Sequence, residues 1–174
     1  MIEPEVKTII VDGSSSDWGN MMPVLVDPTG DVESDARGEY TTYGTDLVAL
    51  FVAQDDSFLY WRMDLADGSP NSIVDYKVEF SFEQAGNRIL IHEIYSNFNC
   101  SAGLTTFDQN GVQLSADPIP EAICAIRNVV EGRIPLQYLK TVDQSDMQSR
   151  AERWVGNPNP GTKDESAVIT LKLR

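Results

Sequence analysis

Residues 46–65 constrain this chain more than any other stretch. DLVALFVA is apolar at successive positions, so an extended segment there needs cover on both faces. Asp55-Asp56 supplies a tight turn. FLYWRMDL then alternates, with Leu59, Trp61 and Met63 on one side and Tyr60, Arg62 and Asp64 on the other. The two runs predict a hairpin whose first strand is central in a sheet. Such a sheet needs neighbours at its edges and a second layer against its apolar face.

The remaining sequence supplies those partners. YKVEFSF, residues 76–82, alternates with Val78, Phe80 and Phe82 pointing in. Ala85-Gly86-Asn87 turns the chain into RILIHEIY, residues 88–95. Asn110-Gly111 marks a hairpin turn between residues 104–107 and 112–114. Residues 122–130 read as a strand, and Pro135 ends or edges the next pairing. A short helical turn is expected over 136–140 and a long polar loop over 141–164. Residues 167–173 form a closing strand. No long amphipathic helix is visible. The prediction is one domain, residues 1–174, folded as an antiparallel, jelly-roll-like all-β sandwich with little helix.

Composition narrows the function classes. The chain has 174 residues and a net charge of −14. It lacks the basic face that replaces phosphate counterions, so nucleic acid is excluded as a partner, as is attraction to anionic membrane. No apolar run approaches the roughly 18–20 residues of a membrane span. MIEPEVKTII lacks the basic start and apolar core of a signal peptide. The expectation is a segment whose leader has been removed. Cys100 and Cys124 permit one disulfide, with two buried thiols as the alternative. The bridge is the expected state; closing about 25 residues, it contributes on the order of 3 kcal/mol.

Acidity also favours cation binding. In DPTGD a Pro and a Gly force a bend between Asp27 and Asp31. Two carboxylates and several free carbonyls in one bend suit a hard cation, and calcium accepts about 6–8 oxygens in irregular geometry. Asp46, opening the next strand, is a candidate third ligand; Asp12 and Asp17 are further ones. An EF-hand does not fit. Asp31, Glu33 and Asp35 occupy its first, third and fifth positions, but Ala36 stands where Gly is required and Thr42 where Glu is required.

VDGSSSDW, DPTGD, the hairpin at 46–65 and EGRIPLQYL occur in that order. Together they resemble the β-sandwich superfamily of family 9 carbohydrate-binding modules and DOMON-like domains, over about residues 10–139. The resemblance implies an antiparallel sandwich on an exported protein (secreted, periplasmic or at the cell surface), structural calcium, and in some members glycan or polysaccharide binding. Other members bind haem. Sugar-binding members clamp their ligand between two tryptophans, one late in the chain. Trp154 lies in a comparable late position, whereas Trp61 sits where the family has a core aromatic and Trp18 belongs to the Asp-Trp motif.

Other chemistries find little support. Ser-His catalysis needs a histidine base, and the ligands that favour zinc are few; His92 is the single histidine, in a strand beside Leu90 and Ile94 where it is expected to face the core. Haem ligation through His92 and Met63, and glycosidase chemistry between two carboxylates, rank lowest. Sugar recognition has residue types available: Trp154 with Arg153, Asn157 and Asn159, and Tyr60 with Arg62 and Asp64 on a strand face. The function expected is a non-catalytic, calcium-bearing carbohydrate-binding module of a larger surface protein. A structural or adhesive protein-interaction module is the alternative.

Overall fold

The computed structural model describes residues 1–34, 44–66, 70–71, 74–96, 98–139, 144–154 and 160–173; the side chains of 33–34, 152–154 and 160–162 lie outside that description. In chain order the strands are β1 (Glu5–Val6), β2 (Leu25–Val26), β3 (Glu33–Ser34), β4 (Leu47–Gln54), β5 (Phe58–Leu65), β6 (Asp75–Gln84), β7 (Asn87–Ser96), β8 (Asn99–Phe107), β9 (Gln113–Pro118), β10 (Ile123–Ile126), β11 (Val130–Pro135), β12 (Gln144–Trp154), β13 (Pro160–Glu165) and β14 (Ile169–Lys172). One 3-10 turn, Leu136–Tyr138, follows Pro135.

The strands form two sheets. The six-stranded sheet runs β1-β4-β5-β11-β10, with β2 also on β4. The eight-stranded sheet runs β3-β13-β12-β6-β7-β8-β9, with β14 also on β12. Apart from the parallel β1–β4 pair, the ladders are antiparallel. This is the expected all-β sandwich.

Periodicity explains the core. Leu59, Trp61 and Met63 face Tyr76, Val78, Phe80, Ile91, Met147 and Leu171 from the other sheet, and all are buried. Burying each such side chain contributes about 1.5–3 kcal/mol. β4 is covered on both faces, as its continuous apolar run requires. Leu50 and Val52 join the main core, while Phe51 and Ala53 join a smaller one with Ile9, Trp18 and Tyr60. The N-terminal arm therefore roofs the outer face of β4 and β5. Asp55 fastens it: its carboxylate accepts from the Thr8 hydroxyl (3.0 Å), the Tyr60 hydroxyl (2.7 Å) and the Ser57 and Phe58 N–H groups (2.8 and 2.9 Å).

Two expectations are corrected. Residues 141–164 are not one long loop, because β12 is an eleven-residue strand central to the larger sheet. Its inward positions are Ser145, Met147, Ser149 and Ala151, all buried. Two serines interrupt the apolar alternation and hid it from a hydropathy reading. His92 does not face the core either. Ile89, Ile91, Glu93 and Tyr95 point inward, and half-buried His92 lies on the outer face over Gly103. Both faces of RILIHEIY are apolar, so period two alone could not choose between them.

Candidate metal centre

The acidic bend gains its geometry from β4. Asp27 N–H donates to Val48 O at 3.0 Å, so the end of β2 runs beside the start of β4. The chain then turns through Gly30, whose φ of +88° is natural only for glycine. Gly30 N–H donates to Asp46 Oδ2 at 2.9 Å, drawing the turn over the residue that opens β4. Asp31 follows, exposed.

A fourth carboxylate arrives from the other sheet. Asp164 lies on β13, opposite Ala151 of β12, and is 4 % exposed. Leu47 N–H of β4 donates to its Oδ2 at 2.6 Å, tying the sheets together at this rim. One oxygen from each of Asp27, Asp31 and Asp164 lies within 4.8 Å of the other two. Calcium holds its oxygens at about 2.3–2.6 Å, so a spacing of this order is compatible with one shared cation.

The local charge is unbalanced. Burial pushes Asp164 up to about 6, the charges of Asp27, Asp31 and Asp46 add to the rise, and the Leu47 N–H opposes it. Asp27 is raised as well, by burial first and then by Asp31 and Asp46. Asp27 Oδ2 is shielded from solvent and has no hydrogen-bond partner among the described residues. A buried polar atom in that state is costly unless something else satisfies it. An oxygen-only donor set of this kind suits calcium.

Asp12 and Asp17 lie in the N-terminal arm, outside that group. Asp12 Oδ1 caps its own turn through Ser14 N–H at 2.9 Å, and Asp17 Oδ2 accepts from Ile10 N–H at 2.5 Å. Both sit in the arm, which closes on Glu131 of β11. Glu131 accepts from Asp12 N–H (2.8 Å), Gly13 N–H (2.7 Å) and Trp18 Nε1–H (2.6 Å). Two segments of the family resemblance, DGSSSDW and EGRIP, thus meet in one hydrogen-bonded latch.

The sugar-site candidates separate. Tyr60 is 1 % exposed beneath the arm and offers no stacking face. Arg62 pairs with Asp64 through two contacts of 2.6 Å, and its guanidinium lies 4.3 Å from the Phe51 ring centroid. It also lies 6.0 Å from the ring centroid of Trp18 in the arm. Arg153 and Trp154 end β12, with side chains outside the described set; Asn157 and Asn159 lie outside the described residues.

Cys100 of β8 and Cys124 of β10 form the expected disulfide, with Cα atoms 5.5 Å apart, joining the two sheets. Beside it stands Glu93, fully buried on β7. Trp61 Nε1–H donates to its Oε2 across the core. Burial raises Glu93 well above the usual carboxylate range, against opposing hydrogen bonds from Trp61 and the Arg133 N–H and against the Arg133 charge.

Sequence reasoning missed Asp164, Glu131 and Glu93. The motif EGRIP held a signal for Glu131, since an acid opening an otherwise buried strand demands donors. Asp164 had none, because its place depends on the unrecognised strand β12. No protein-family model, no curated protein and no solved structure matches the chain.

Proposed function

We propose that the protein is a non-catalytic β-sandwich binding module of an exported or surface protein, with its rim organised by one calcium ion. The observation that carries this reading is the convergence of Asp27, Asp31 and Asp164 around a shielded, unpartnered Asp27 oxygen. Asp46 adds charge and a Gly30 contact at the same rim. The ion joins the turn after β2 to β4 and β13, and so ties one sheet to the other.

A glycan is the ligand class we assign to the module, following the family resemblance. A depression of about 300 Å³ supports it, lined by Glu83, Arg88, Phe107, Asp108 and Gln109 among others. Arg88 pairs with Phe107 across β7 and β8, so a cation and a half-buried ring share one surface. These are residue types that stack on a sugar ring and bind its hydroxyls. The alternative, a protein-interaction module, draws on edge strand β9, where Leu114 is 57 % exposed.

Melting in calcium and in chelator tests the ion, and a glycan array on calcium-loaded protein tests the ligand. The expected result is a midpoint that falls on chelation and returns with calcium. An unchanged midpoint on fully demetallated protein overturns the calcium reading.

A further inference from the structure

The disulfide corner has chemistry that the calcium rim does not use. Glu93 is an acid with no exposure, placed where an apolar residue would pack at less cost. Its Oε1 lies 3.7 Å from Cys100 Sγ. One ligand atom from each of Glu93, Cys100 and Cys124 lies within 4.8 Å of the other two. We propose that reduction of the Cys100–Cys124 bond converts this corner into a zinc-class cation site, with the two sulfurs and Glu93 as protein ligands.

The geometry requires little movement. Two thiolates on one tetrahedral zinc, at about 2.3 Å each, stand about 3.8 Å apart. With Cα atoms 5.5 Å apart, rotation of the two side chains supplies that separation on a fixed backbone. The carboxylate is already oriented, because Trp61 Nε1–H and the Arg133 N–H both donate to it. Outer partners of this kind fix a ligand's direction and strengthen metal binding. Cys100 and Cys124 are half-buried while Glu93 is fully buried. Reductant and cation therefore approach from the sulfur side. Two sulfurs favour a softer ion than the oxygen cluster around Asp27 does, so the two sites differ in preference.

The redox step balances with a trialkylphosphine as reductant. Phosphorus attacks one sulfur and the S–S bond breaks. Water then converts the phosphonium to phosphine oxide, and its two protons end on the two sulfurs. The cation displaces those thiol protons, and any proton on Glu93, to give two thiolates and a carboxylate.

Cobalt(II) is the probe, because thiolate ligation gives a near-ultraviolet charge-transfer band. Phosphine-reduced protein, checked for its strand circular dichroism, is titrated with cobalt under anaerobic conditions and then with zinc. One cobalt per chain should bind with that band, zinc should displace it, and oxidised protein should show none. Glu93→Gln retains an acceptor for Trp61 and should weaken binding by about tenfold or more; Cys124→Ser should remove the band. Asp164→Asn should leave it unchanged even if the calcium reading fails. Absence of the band in reduced protein, equal affinity in Glu93→Gln, or a reduced chain that has lost its fold overturns the proposal.

Discussion

At the scale of single residues, Asp164 decides most. Its carboxylate is buried, accepts one backbone N–H, and sits among three other acids. In metal-free protein its raised pKa means that the folded chain holds a proton the unfolded chain releases. Stability on this account is highest at low pH and falls as pH climbs from the ordinary aspartate range through about 6. Asp164→Asn keeps an acceptor for Leu47 and removes the charge. In chelator near pH 7 it should melt higher than wild type, by roughly 2–4 °C for each kcal/mol of repulsion relieved. In calcium it should gain far less than wild type. Differential scanning fluorimetry in both buffers reads the crossing; a variant that melts lower than wild type in both contradicts this account. Asp27, Asp31 and Asp46 were visible in the sequence because Pro and Gly announce the bend around them. Asp164 was not, since it reaches them through sheet pairing over more than a hundred residues.

At the scale of elements, the N-terminal arm and β11 act as one unit through Glu131. Three donors converge on that carboxylate: Trp18 Nε1–H and two backbone N–H groups. Glu131→Ala should cost about 1–3 kcal/mol for each donor that stays buried without a partner. Exposure of Trp18 should then red-shift its fluorescence and open the arm to protease; an unchanged emission and cleavage pattern would contradict the latch. Burial raises the pKa of Glu131, with the three hydrogen bonds opposing. The folded state therefore holds this proton too, and Glu131 alone lowers stability as pH rises out of the ordinary glutamate range. Next to it, Gly132 has no room for a side chain: a Cβ there would lie 2.5 Å from the Trp61 ring and 2.8 Å from Glu93 Oε2. The hairpin of β4 and β5 was readable because its two periodicities are strong. The arm over its outer face was not, because Tyr60, Arg62 and Asp64 read as solvated on alternation alone. The roof comes from residues about forty positions earlier.

At the scale of the whole molecule, a net charge of −14 acts everywhere at once. Self-repulsion destabilises the compact state, and any salt that screens it will raise the melting point. A calcium effect therefore proves a site only when it survives screening. Sodium chloride shortens the Debye length from about 10 Å at 0.1 M to about 3 Å at 1 M, so its benefit should rise gradually and without saturation at low concentration. A calcium ion held by Asp27, Asp31 and Asp164 behaves differently. Binding the folded state alone, it stabilises by about 2.7 kcal/mol at a hundredfold excess over its dissociation constant. For a chain of this size that is roughly 5–10 °C. Magnesium has the same charge but requires near-octahedral geometry and sheds water reluctantly. At equal ionic strength it should recover only the screening part of the shift. The expected record, in a constant background of about 0.15 M sodium chloride, is a saturating rise with calcium and a smaller, unsaturated rise with magnesium. Equal curves for the two ions would mean that the acidic rim is screened by cations in general and holds none in particular.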